Sequence, residues 1–132
     1  MPPIEGIITI LVILCAPFII EPKKYRISRI QFWKWLGLDF LIIFCIGLIV
    51  TYVFFIPSLY KYLLPLILYV FLFHISYLVI GRLHDMAKSG YWCYLTILFP
   101  IGHIILFIYC LKKGDNKLNV YGEVDTNPNY FF

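Results

Sequence analysis

Charge is scarce in this chain. Asp, Glu, Lys and Arg make up only 14% of its 132 residues, whereas a soluble domain uses about a quarter of its residues to keep its surface wetted. Hydrophobic residues reach 62% and the mean hydropathy is +0.88, which excludes a water-facing globular surface and the function classes that need one. A C-x-x-C pair is missing as well. Cys15, Cys45, Cys93 and Cys110 each lie in a different part of the apolar sequence, so zinc and dithiol motifs are excluded and the cysteines read as buried free thiols. No metal or cofactor is expected. Internal repeats and low-complexity tracts are also absent, and so is the basic start of a signal peptide. Met1 to Gly6 holds Glu5 and no Lys or Arg, and Val12, Ile13 and Leu14 stand before Cys15 where cleavage wants small residues.

What is present is a set of long apolar runs. Residues 36–56 carry one charge, Asp39, and as a helix they reach about 31 Å, the thickness of a bilayer's hydrocarbon core. Residues 62–80 and 91–111 have the same character, with most of the charge in the segments between. The predicted fold is all-α, a polytopic transmembrane helical bundle with three core spanning helices. Residues 4–20 add a short N-terminal fourth, bent by Pro17 and stopped by Glu21, Pro22 and Lys23. Ser28-Arg29-Ile30-Gln31 is a capping box that starts a helix at Ser28, and the mixture of Arg29, Phe32, Trp33, Lys34 and Trp35 places 28–36 at the membrane interface, leading into the second span. Pro57 and Ser58 open a tight outer connection. Pro100-Ile101-Gly102 interrupts the last run, predicting a kink or a re-entrant turn there. The chain divides into an apolar segment over 1–22, a membrane domain over 23–122, and a polar and aromatic tail over 123–132 that ends Tyr130-Phe131-Phe132.

Counting Lys and Arg by side orients the bundle. Lys23, Lys24, Arg26, Arg29 and Lys34, with Arg82 and Lys88, are set against Lys61 and the tail's Lys112, Lys113 and Lys117. The larger group is expected inside, with the amino terminus and the tail outside. The net charge of +4 does not point to nucleic acid, because the cations cluster beside a spanning segment, where anionic lipid headgroups attract them. The expected partners are the lipid bilayer, its anionic headgroups, and a homo-oligomer or another membrane protein.

The densest polar stretch is 81–92, which holds Arg82, His84, Asp85, Lys88, Ser89 and Trp92. If the third helix runs through it, His74, Tyr77, Gly81 and His84 or Asp85 share one face and carry a polar stripe from mid-membrane to the surface. In one reading Arg82 and Lys88 are topology charges paired with Asp85. In the other, Arg82, His84, Asp85 and Lys88 form a pocket for an anionic group, since Arg binds phosphate or carboxylate through two parallel donors. Asp39, one turn inside the second span, needs a partner, and Arg82, His84 and Lys88 are the candidates. His74 and His103 both fall near mid-span and are expected to hydrogen-bond each other rather than hold a metal. Asn119 to Gly122 reads as a turn docked on the membrane face.

Three separated motifs carry a resemblance. Arg26-Ile27-Ser28-Arg29 with Phe32-Trp33, then Arg82-Leu83-His84-Asp85 with Ser89-Gly90 and Trp92, then Asn119-Val120-Tyr121-Gly122, resemble the small bacterial inner-membrane proteins called YhaH-like, the domain-of-unknown-function family 805. The resemblance spans residues 25–122 and implies a multi-pass protein of the bacterial inner (cytoplasmic) membrane. That family has no established activity. The chain departs from the family pattern at Gln31, where an acidic residue is usual, at Ala87, where glycine is frequent, and at Tyr91, where a second tryptophan is frequent. The candidate binding surface is Arg26, Ser28, Arg29, Trp33, Asp39, Arg82, His84, Asp85, Lys88, Ser89, Trp92, Asn119 and Tyr121.

The function expected from these features is a non-enzymatic module that binds lipid headgroups or a membrane protein. The alternative is an enzyme acting on a lipid or isoprenoid phosphate, with His84 as general acid or base, Asp85 orienting it, and Arg82 and Lys88 holding the phosphate. A subunit of an oligomeric transporter and a toxin-immunity protein are further alternatives.

Overall fold

A computed structural model describes residues 4–20, 25–53 and 57–123. In chain order these form α1 (Ile4–Ile20), α2 (Arg29–Val53), α3 (Pro57–Asp85), a 3-10 helix (Gly90–Ile97) and α4 (Ile101–Leu111). Among the described residues there is no strand, only an isolated bridge between Asn119 and Gly122. The stop at residues 21–23, Lys23 and Lys24, the connection before Pro57 and the aromatic carboxyl terminus fall outside the described residues.

Local chemistry sets the helix ends. The Ser28 hydroxyl accepts from the Gln31 amide at 3.3 Å while the Gln31 side chain accepts from the Ser28 amide at 2.9 Å, the reciprocal capping box. From that cap α2 runs unbroken to Val53, so the stretch 28–36 is the first part of α2 and leads directly into the apolar run. Pro57 opens α3, where the missing amide costs nothing and the fixed φ suits a first helical position. At the other end of α3 the Lys88 amide reaches the Leu83 carbonyl and the Ala87 amide reaches the His84 carbonyl, a Schellman closure with Ala87 in the left-handed position at φ 54°.

Two helices are long and apolar enough to cross a membrane, over Arg29–Ile49 and Leu63–Asp85; α1, with 17 residues, and α4, with 11, are apolar but shorter. The predicted third core span over 91–111 does not form as one helix. Proline at 100 has no amide to give, and Phe99 before it is pushed away from helical geometry. The chain instead folds into a hairpin. The 3-10 helix and α4 are each about 16 Å long, half the hydrocarbon thickness of a bilayer. A β-carbon on Gly102 would sit 1.6 Å from the Leu95 carbonyl oxygen, so only glycine lets the two arms approach this closely.

Both feet of the hairpin stand at the end of α3. Ser89 and Gly90 follow directly from it, and Arg82 donates from its Nε to the Cys110 carbonyl at 3.3 Å and from its Nη2 to the Lys112 carbonyl. The tail therefore lies at the same end as Arg26 and Arg82, and the expectation that it faces the opposite side is corrected. That end is also where the bundle is packed. Ala16 and Ile20 of α1 meet Ile80 and Cys93, and Ile27, Phe32, Leu78 and Cys110 form a second cluster beside them. Along α2 and α3 most of the described side chains face outward, and only 6% and 11% of their two apolar windows are buried.

Candidate functional site

The packed end contains a knot of three charges. The segment before α2 crosses α3, held by the Ile27 amide on the Gly81 carbonyl at 3.0 Å, the Tyr25 hydroxyl on the Tyr77 carbonyl at 2.7 Å, and the stacked Tyr25 and Tyr77 rings. This crossing brings Arg26 to the last residue of α3. Asp85 Oδ1 accepts from Arg26 Nε at 3.2 Å and Nη2 at 3.0 Å, and Asp85 Oδ2 accepts from Arg82 Nη1. All three residues are buried.

One carboxylate facing two guanidiniums leaves an excess positive charge, and backbone carbonyls answer it. Arg26 Nη1 donates to Lys117 O at 2.8 Å and Gly122 O at 3.0 Å, and its Nη2 donates to Asp115 O. Arg82 donates to two carbonyls at the carboxyl end of α4, and exposed Arg29 reaches a third, Leu111 O, at 3.4 Å. These are acceptors that a helix end leaves unmatched, at its electronegative pole. The Asp115 amide donates back to the Asp85 carbonyl at 2.7 Å, and a β-carbon on Gly114 would lie 1.7 Å from Asp85 Oδ2. The knot is thus the clamp that fastens residues 110–122 to the bundle.

The 119–122 turn completes the clamp. Asn119 and Gly122 exchange backbone hydrogen bonds, the Asn119 side chain accepts from the Tyr121 amide at 2.8 Å and donates to the His84 carbonyl at 2.9 Å, and the Tyr121 ring stacks on the His84 ring at 3.8 Å. The predicted turn forms, and it docks on α3. His84 Nδ1 lies 3.1 Å from the Tyr25 carbonyl, while both Asp85 oxygens are taken by arginine. The catalytic alternative needs Asp85 to orient His84, and the geometry gives that carboxylate to Arg26 and Arg82 instead. Adjacent residues on a helix point about 100° apart, which is why the two diverge.

Around the clamp lies a rim of exposed or half-exposed cations. Lys88 Nζ sits 5.1 Å from the Trp92 ring centre and 5.7 Å from that of Tyr109, and Lys112 Nζ sits 4.8 Å from the Tyr109 ring on its own account. With Arg29 on Leu111 O, three cations surround the last turn of α4, and none of them forms an ion pair among the described residues. Ser89 accepts from the Tyr91 amide and caps the 3-10 helix, and Trp92 lies edge-on to Tyr109. A cleft of about 700 Å³ lies between α2, α3 and the hairpin, walled by Trp33, Leu36, Val79, Ile104, Phe107 and Cys110 among others. Trp33 packs edge-on to Phe32 and Phe107 and so lines this cleft.

Asp39 lies apart from all of this. Its Oδ2 is 2.7 Å from His74 Nδ1, on α3. The expected partners Arg82, His84 and Lys88 are about 15 Å farther along the helices, at the end where Asp85 and the tail engage them. The expected pairing of His74 with His103 does not form either: His103 lies edge-on to Phe99. The sequence did not announce Tyr25, whose hydroxyl and ring hold the crossing, nor Gly114 and Asp115, which act through close approach and a backbone amide that no residue type reveals.

Fold and site together define a helical protein with two bilayer-length apolar helices and a cationic, tail-clamped end. Residues 21–123 match the family model described as Protein of unknown function (DUF805), and the chain belongs to that family. No curated protein and no solved structure matches it.

Proposed function

We propose that this is an integral membrane protein, of the bacterial inner membrane, that binds an anionic lipid without catalysing a reaction. In this reading α2 and α3 cross the bilayer, while the 3-10 helix and α4 enter from the cytoplasmic side and return to it. Three features support the crossing. The apolar windows are almost entirely unburied, unlike the core helices of a soluble protein; α1 and α4 are apolar as well; and Arg26, Arg29, Lys34, Arg82, Lys88, Lys112, Lys113 and Lys117 lie at one end, as cytoplasmic cations do.

The observation that carries the binding role is the grouping of Arg29, Lys88 and Lys112 around the last turn of α4, whose Cys110 lines the apolar cleft. An anionic headgroup meets three cations that no carboxylate neutralises among the described residues, and one hydrocarbon chain lies along Trp33, Leu36 and Phe107. Arg26 and Arg82 do not take part, because their donors serve Asp85 and the tail. Lipid extracted from protein purified in mild detergent should be enriched in anionic species, and an Arg29→Ala/Lys112→Ala variant should lose that enrichment while keeping its unfolding temperature. Equal lipid profiles for the two proteins would overturn the proposal.

A further inference from the structure

We propose that the Asp39–His74 pair is the polar end of a second site, one that binds an amphiphilic primary ammonium, a positively charged amine on an apolar body. The pair lines a cavity of about 360 Å³ between α2 and α3, whose remaining walls are apolar, with Ile43, Ile46, Ile67, Val70 and Phe71 among them. Small-molecule sites have this composition: a concave apolar wall and a few polar groups that fix orientation. An ionisable pair held inside a spanning segment is costly and marks a functional site by default.

Hydrogen-bond capacity and charge select the ligand. With the imidazole neutral, its Nδ1 proton goes to Asp39 Oδ2 at 2.7 Å, which leaves Nε2 as an acceptor; Asp39 Oδ1 is a second acceptor, with no hydrogen-bond partner among the described residues. The pair then carries one negative charge in apolar surroundings. No Lys or Arg pairs with it among the described residues, and Lys34, five residues earlier on α2, is turned about 140° round the helix. The His74 side chain keeps 40% of its surface accessible. A cationic donor answers both acceptors and the charge together. A metal ion wants further ligands, and no group of three His, Cys, Asp or Glu stands together among the described residues.

The shape of the cavity adds the apolar body. Its lining runs along α2 from Asp39 to Ile46 and along antiparallel α3 from His74 back to Leu66, so both walls lead about 10 to 12 Å away from the pair and from the cationic end. Only one end of the cavity is polar. That end lies about 8 Å along α2 from Lys34, so the ammonium sits toward the interface while its body points deeper, against isoleucine, valine and phenylalanine. The inference rests on α2 and α3 crossing the membrane and is independent of the headgroup site.

The test uses the full chain, with labelled histidine, in phosphatidylcholine nanodiscs. Titration with octylammonium should shift the His74 imidazole resonances saturably and leave those of His84 and His103 in place. Octanol, which donates without charge, and octyltrimethylammonium, which carries charge without a donor, should each bind about tenfold or more weakly, the loss of one charge-assisted hydrogen bond. Asp39→Asn should weaken octylammonium binding by a similar factor, and Ile46→Trp, which fills the apolar end and leaves the pair intact, should abolish it. Displacement by phosphatidylethanolamine added to the nanodisc would make a lipid headgroup the source of the ammonium, and its failure to displace would make it a free amine. Non-saturable shifts, octanol binding as tightly as octylammonium, or unchanged affinity in both variants would each overturn the assignment. Recovery of the chain in the membrane fraction of cells separates failure of this site from failure of the membrane reading.

Discussion

Two regions of the molecule treat charge in opposite ways. At the packed end, Asp85 faces two arginines whose further donors reach at least five backbone carbonyls, and the residues are buried. In the apolar stretch of α2 and α3, one carboxylate faces one imidazole, the imidazole is partly accessible, and the surroundings are isoleucine, leucine, valine and phenylalanine. A cluster so fully satisfied is an assembly device: it orders a tail and holds a hairpin. A pair with an accessible edge beside a cavity has capacity left for a ligand. The densest polar stretch in the chain is therefore spent mainly on holding the fold together, and the sparse one keeps an accessible polar edge.

The comparison breaks first at Asp85. Asp85→Ala leaves two buried guanidiniums facing each other and should cost about 3 to 5 kcal/mol, read as a large drop in thermal unfolding in detergent together with protease release of the tail. If the tail stays protected, the knot is not what clamps it. Gly114→Ala pushes a methyl group into the same carboxylate and should cost about 1 to 3 kcal/mol by the same assay. Ala87→Gly goes the other way. Ala87 holds a left-handed conformation that costs an L-residue about 1 to 2 kcal/mol, so glycine should raise stability by about 1 kcal/mol. The smallest effect is expected at mid-span, where a double-mutant cycle over Asp39→Asn and His74→Phe should give a coupling of about 0.6 kcal/mol, typical of a hydrogen bond between membrane helices. A coupling as large as that at Asp85 would make Asp39 and His74 a second structural knot and erase the contrast.

Much of this was legible in the residues. Apolar run lengths located α1, α2 and α3, the Ser28 to Gln31 pattern gave the start of α2, and Pro100-Ile101-Gly102 marked the break that turns the last run back on itself. The side of the tail was not legible, because counting lysines assumed that residues 91–111 cross, and one proline-centred reversal moves three lysines to the other group. Arg82 and Asp85 announced themselves as parts of one charged stretch, and Arg26 as one of the cations before α2. Their use did not, since two arginines spend most of their donors on backbone carbonyls of residues 110–122, and every residue has such a carbonyl. Ala87 is a similar case: the family's frequent glycine there matches a positive φ that composition alone does not reveal. Asp39 was seen to need a partner, but the choice of His74 depends on how α2 and α3 are rotated against each other, and apolar patterning all around both helices leaves that rotation unspecified.

The account stands most directly on the hairpin returning to the side it enters from. Single cysteines introduced as Ser89→Cys, Lys117→Cys and Tyr60→Cys, in a background with the four native cysteines replaced by alanine, can be labelled with an impermeant maleimide in intact and in permeabilised cells. Protection of positions 89 and 117 in intact cells, with position 60 labelled, is the predicted result. Labelling of position 117 together with position 60 would mean that residues 91–111 cross the membrane, and would contradict the clamp on which the rest is built.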